Sequence, residues 1–122
     1  MVKLSVIQKA IQEAKKSDVV RGKVGAVLFT PSGNIIASAH NVILFGYSKV
    51  WTRHAERFLL DKAYKLNAYK RFGKLCMLVV RYRPGTDTLA NAKPCPECHN
   101  HLAPTGIRVF YTNKNGNIEE LV

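Results

Sequence analysis

The run LCMLVVRY, from Leu75 to Tyr82, limits what this chain can fold into more than any other segment. Almost every side chain in it is apolar, and Val79 and Val80 are β-branched, so an extended segment has no face to offer to water. Such a strand belongs at the centre of a sheet covered on both sides, the α/β arrangement.

Two apolar stripes at helical spacing supply covering layers. Leu4, Ile7, Ala10, Ile11 and Ala14 recur at three and four, and the charged cluster around Lys15, Lys16 and Asp18 ends that helix. Ala55, Phe58, Leu59, Ala63 and Leu66 repeat likewise and predict a second helix from about Arg53, with Thr52 as its N-cap. VGAVLF and NIIASA, joined by TPSG, read as a hairpin because Pro31 and Gly33 bring turn chemistry. PGTDTLANAK reads as a loop. A short helix is expected near Pro96, stopped by Pro104 and Gly106. IRVFYT and IEELV flank NKNGN, whose Asn115-Gly116 pair predicts an antiparallel hairpin. The expected order is α-β-β-α-β-α-β-β: a three-layer α-β-α domain with a mixed five-stranded sheet and helices on both faces.

With 122 residues, the chain suits one domain, spanning 1–122, better than two. No apolar run approaches the roughly 18 residues that cross a bilayer, so no membrane is expected as a partner. MVKLSVIQKAIQEAKKS alternates apolar and charged residues and reads as helix rather than as a cleaved leader. Three cysteines cannot all pair, and Cys95 and Cys98 have a Cys-x-x-Cys spacing suited to metal or redox chemistry. A reducing, cytoplasmic setting is the expectation. Nineteen Lys and Arg against eight Asp and Glu leave a net charge of +11, which draws anions and makes a nucleotide or single-stranded nucleic acid an expected partner. Solubility alone is the bland explanation of the same charge.

TRHAERF and KPCPECH carry the chemistry. His54 at the start of one helix, and Cys95 and Cys98 at the start of another, offer one imidazole and two thiols to a single ion. Soft sulfur with imidazole nitrogen selects Zn²⁺, and three protein ligands leave a fourth position open, as catalytic zinc sites do. Helix N-termini are expected to favour the thiolates. Glu56 is not needed as a ligand and is placed for general acid and base work. The competing reading of the cysteines is a redox pair, which needs a strand directly before it and no distant His-x-Glu. Cys76 reads as a small buried hydrophobe, and His40, His99 and His101 as residues outside the ligand set.

HAE at His54–Glu56 with PCPEC at Pro94–Cys98 resembles the zinc-dependent cytidine and deoxycytidylate deaminase superfamily. KVGAVLF is similar to the family's first strand, and CHNHLAPTGIRVFYT to its third helix and following strand. The resemblance implies hydrolytic deamination: water activated at zinc adds to the ring carbon bearing the amine, Glu56 shuttles the proton, and ammonia leaves. It also implies Asn41 as a contact to the substrate sugar and the backbone groups of Ala26 as contacts to the base, with Ala55 among the expected substrate-binding residues. Assembly into a homo-oligomer is a further expectation, since relatives often build sites across subunits.

Two departures bear on substrate. Ile43 stands where nucleoside deaminases carry Glu in Asn-x-Glu, and Cys98-His99-Asn100 stands in place of Cys-Arg-Gln. Both weaken plain cytidine. Lys23, Arg53, Arg57, Arg81, Arg83 and Lys93 border the expected site and suit a 5′-phosphate or a strand backbone. A solvated sheet edge explains them equally. Trp51 suits stacking on a base, against ordinary packing on the second helix. The expected activity is therefore conversion of cytosine to uracil in a phosphate-bearing substrate. Free cytidine or deoxycytidine, adenosine in tRNA, and a zinc-stabilised binding module without turnover are the alternatives.

Overall fold

A computed structural model describes residues 2–19, 22–45 and 50–121, with the side chains of 44, 45 and 50–53 left aside. In chain order the elements are α1 (Leu4–Lys15), β1 (Lys23–Phe29), β2 (Ile35–His40), β3 (Val42–Phe45), β4 (Val50–Arg53), α2 (Ala55–Lys65), α3 (Ala68–Phe72), β5 (Cys76–Arg83), β6 (Thr88–Ala90), α4 (Pro96–Leu102), β7 (Arg108–Thr112) and β8 (Ile118–Glu120). The main sheet runs β2-β1-β5-β7-β8, and β6 also pairs with β5. The β5–β7 pair is parallel and the other pairs are antiparallel, so the sheet is mixed.

LCMLVVRY becomes β5, and alternation along it divides the core in two. Met77 and Val79, with Ala26, Leu28, Val109 and Tyr111, face a layer built from Ala55, Leu59, Ala63, Ala68 and Leu102 of α2, α3 and α4. Cys76, Leu78 and Val80, with Val27 and Phe29, face Val6, Ala10 and Ala14 of α1. Leu28, Leu59, Met77 and Leu78 are fully buried; each contributes roughly 1.5–3 kcal/mol by leaving water. Helices thus cover both faces. α1 comes closest at Gly25, where an added Cβ would lie 2.2 Å from the Ala10 carbonyl oxygen and 2.6 Å from the Ala14 nitrogen.

The TPSG hairpin forms, with Gly33 at φ +96° and its amide donating to the Thr30 carbonyl over 2.8 Å. The final hairpin also forms, pairing Thr112 with Ile118 and Phe110 with Glu120. Its connection is held by Asn113 and Asn117, with Gly116 left-handed at φ +80°. α4 begins at Pro96 and ends at Leu102, a single 3₁₀ turn follows, and left-handed Gly106 leads into β7.

Three features correct the reading from sequence. Residues 42–53 contain a separate hairpin, β3–β4, which puts Thr52 opposite Ile43 and moves the N-cap of α2 to His54. A short helix, α3, follows left-handed Asn67. Within PGTDTLANAK, Thr88–Ala90 forms β6, a sixth strand in the sheet. β7 covers β5 from Cys76 to Val79, and β6 takes over the same edge from Arg81 to Arg83. Thr112, wholly buried, stitches the junction: its hydroxyl donates to the Ala90 carbonyl over 2.7 Å, and its carbonyl accepts from the Ala92 amide over 2.8 Å. That junction aims the segment leading to Cys95. Among the described residues no helix is long and apolar enough to cross a membrane.

Candidate active site

His54 and Cys95 occupy the N-cap positions of α2 and α4, both with extended backbone and neither making a side-chain cap. At such positions the side chain leaves the helix axis instead of continuing it. The two rings of chemistry therefore meet. His54 Nδ1 lies 3.0 Å from Cys98 Sγ and 3.8 Å from Cys95 Sγ, and all three donor atoms lie within 4.8 Å of one another. Zinc bonds of about 2.0 Å to nitrogen and 2.3 Å to sulfur at a tetrahedral angle separate such donors by about 3.5 Å. The observed spacings bracket that value, so the donor set fits zinc. Among the described residues no other group of His, Cys, Asp or Glu has this metal-holding arrangement.

Electrostatics make the same point. Burial, followed by the charge of Glu56 and by Cys95, pushes the Cys98 thiol far above its ordinary range. The Arg57 charge opposes them without prevailing, so in the absence of a metal the thiol is favoured over the expected thiolate. A divalent cation inverts that balance, since a coordinated thiol is deprotonated outright. Glu56, 5% exposed, is raised by burial, opposed by its own backbone amide, the His54 charge and a hydrogen bond with Cys98. A carboxyl that is buried, hydrogen-bonded to Cys98 and lining open space can take up or release a proton there.

That open space is a cavity of about 290 Å³ lined by His54, Ala55, Glu56, Cys95 and Asn41. Val19, Gly22, Val24, Arg81, Asn91, Ala92 and Lys93 complete it. Asn41 has a second task. Its side-chain oxygen accepts from the Ser17 hydroxyl at 2.6 Å and from the Val24 amide at 2.9 Å, and its Nδ2 donates to the Gly22 carbonyl at 2.9 Å. It thereby fixes the main chain of one cavity wall.

The other expected residues divide. Ala26 is a fully buried core residue inside β1, paired on both sides with Ala39 and Val79, and is not among the lining residues. The backbones of Trp51 and Arg53 lie in β4, and their side chains fall outside the described residues. Arg81 and Lys93 line the cavity. Arg83 lies in an adjoining depression that shares Gly22, Arg81 and Asn91 with it. Arg57 pairs with Glu97 at 3.1 Å, and Lys23 is tied to the Ser17 carbonyl. Cys76 is buried in β5. His40 is bound to Glu13 at 2.9 Å, and His99 and His101 lie outside the donor group. Sequence reading missed Ser17, Gly22 and Asn91; their parts follow from chain reversals that carry no periodicity.

The family model for the cytidine and deoxycytidylate deaminase zinc-binding region matches residues 2–114. A cytidine deaminase from Burkholderia pseudomallei has a similar fold, with a TM-score of 0.68 at 23% identity over 99% of this chain and 92% of that one. A dCMP deaminase from the cyanophage S-TIM5 gives 0.65 at 23% identity, over 90% of this chain and 81% of that one. In complex with dCMP and dUMP it gives 0.65 at 22% identity, over 93% and 85%. No curated protein matches in sequence. The chain belongs to the cytidine and deoxycytidylate deaminase family, as a zinc-dependent hydrolytic enzyme acting on cytosine-type substrates.

Proposed function

We propose that the chain converts cytosine to uracil in a phosphate-bearing substrate, a CMP- or dCMP-type nucleotide or a nucleotide unit within a single strand. The observation that carries this reading is the cavity that joins Glu56, His54 and Cys95 to Arg81 and Lys93. Its volume of about 290 Å³ is near the lower limit of about 300 Å³ for ligand pockets. Among the described residues no carboxylate pairs with Arg81 or Lys93, so both cations are free for phosphate oxygens.

His54, Cys95 and Cys98 would hold the zinc ion, which would supply the acidity that makes water a nucleophile near neutral pH. Glu56 takes a proton from the attacking water as its oxygen bonds to the ring carbon. It then delivers a proton to the exocyclic nitrogen, whose bond to carbon breaks as ammonia leaves. Water and cytosine thus become ammonia and uracil. Asn41 has one Nδ2 hydrogen left after its bond to Gly22, which is available for a sugar hydroxyl. Ala55, buried at the start of α2 beside the donors, forms the wall against the base. The dCMP complex of the cyanophage enzyme supports a nucleotide as ligand of this fold.

Incubation of the zinc-loaded protein with cytidine, deoxycytidine, CMP, dCMP, adenosine, and single-stranded DNA and RNA, followed by ammonia release, tests the reading. Faster turnover of the monophosphates is the expected result. Preference for free nucleosides would remove the phosphate from the proposal, and silence on every substrate would remove the reaction.

A further inference from the structure

Among the described residues six large hydrophobic side chains are exposed, and four of them fall within residues 64–72: Tyr64, Leu66, Tyr69 and Phe72. Tyr64 is 85% exposed, so its ring contributes little to the fold. Two helices produce the cluster. On α2, Ala55, Leu59 and Ala63 point into the core; Arg57 and Tyr64, seven apart, therefore share the outward side. Left-handed Asn67 reverses the chain into α3, where Ala68 is buried and Tyr69 through Phe72 stay outside.

Cations interleave with these rings. Lys65, Lys70, Arg71 and Lys74 lie in or beside the cluster, residues 62–74 contain no acid, and the nearest acid along the chain is Asp61. The Arg71 guanidinium sits 5.3 Å from the centre of the Phe72 ring. Apolar rings alone would suit many partners, but a two-fold contact with a second copy would set these like charges against one another. Rings for stacking alternating with cations for phosphates is the composition that holds an unpaired strand. Tyr64 is ten residues along α2 from His54; that is about 15 Å at 1.5 Å per residue, the reach of about four or five nucleotides.

We propose that this patch is a docking surface for single-stranded nucleic acid, holding a strand whose target cytosine enters the cavity at the N-terminal end of α2. In naming the strand as substrate the inference rests on the proposed reaction; the surface itself does not. It also gives part of the chain's positive charge a location and a purpose.

Labelled oligodeoxycytidines of about 15 and about three nucleotides, with duplex of the longer length as a control, test it by binding. The proteins compared are the unmodified chain, Tyr64→Ala with Tyr69→Ala, and Lys65→Gln with Lys70→Gln; none of these residues lines the cavity. Both variants should bind the longer strand at least about tenfold more weakly, while binding of the short one and deamination of dCMP stay unchanged. In the lysine variant the slope of log affinity against log salt should flatten by about 1.4, for two phosphates at about 0.7 each. Unchanged affinity for the longer strand would overturn the proposal. So would a patch that proves to hold anionic phospholipid vesicles, or a second copy of the chain, with strand affinity intact. Patch-dependent binding without turnover of any substrate would leave the surface standing and sink the deaminase reading. Turnover of dCMP without patch-dependent binding would do the reverse.

Discussion

The α-carbon of Gly25 faces the backbone of Ala10 so closely that a methyl group there would come within 2.2 Å of the Ala10 carbonyl oxygen. The obstacle is main chain, so no rotamer relieves it. Gly25→Ala should push α1 off the sheet and cost about 3 kcal/mol or more. A melting temperature within a degree of the unmodified protein would contradict this close packing.

Thr112 reaches β6 and the segment after it through the Ala90 carbonyl and the Ala92 amide. Thr112→Val keeps the shape and leaves the buried Ala90 carbonyl without the hydroxyl. A loss of about 1–2 kcal/mol in urea unfolding is expected, with weaker zinc retention because Cys95 follows this junction. Full zinc affinity in a destabilised variant would show that the junction does not position Cys95.

Glu56→Gln keeps the size of the side chain and removes its capacity to take a proton. Ammonia release should fall by about 10²–10⁴-fold, while the zinc content of the purified protein stays at one equivalent. A variant that keeps activity would give the proton transfer to another group.

Cys98→Ser replaces a soft ligand in the buried corner of the trio. Metal analysis after dialysis should show zinc lost, and unfolding should come at lower temperature. Equal zinc retention would mean that the ion is held elsewhere.

Hairpin chemistry, helical stripes and the central run were all legible in the sequence, because each is a local pattern with a short period. The trio was legible for another reason. His-x-Glu and Pro-Cys-x-x-Cys each place side chains at a helix start, whatever the loops do. The β3–β4 hairpin escaped because its four-residue strands pair with each other and lie off the main sheet. Thr52 suits an N-cap by composition, but it pairs with Ile43 inside β4, which runs on to Arg53, so the helix starts only after His54. β6 was hidden in a segment of turn-forming residues, and its pairing depends on β7 stopping short of Arg81. The cavity wall at Gly22 and Asn91 is assembled by such long-range joins.

Glu13 is buried on the other side of the sheet from the cavity. Burial alone would raise its pKa; hydrogen bonds from His40, Ser38 and Lys16 outweigh it and bring the value down to about 2 from 4.5. A carboxyl depressed on folding stabilises above its unfolded value and loses that contribution as pH falls toward the folded one. Stability should therefore decline between about pH 5 and pH 2 by on the order of 2 kcal/mol, discounted because Lys16 is largely exposed. Urea titrations across that window should be flatter for Glu13→Gln; an equal slope would rule Glu13 out as the cause.

His54 and Cys95 forgo capping in order to face each other. Two helices therefore start where a metal is gripped, and any weakening of that grip frays their opening turns as well. Catalytic competence and heat tolerance become hard to separate in this molecule: a screen for thermolabile mutants should recover leaky metal binders, and chelators should act as denaturants.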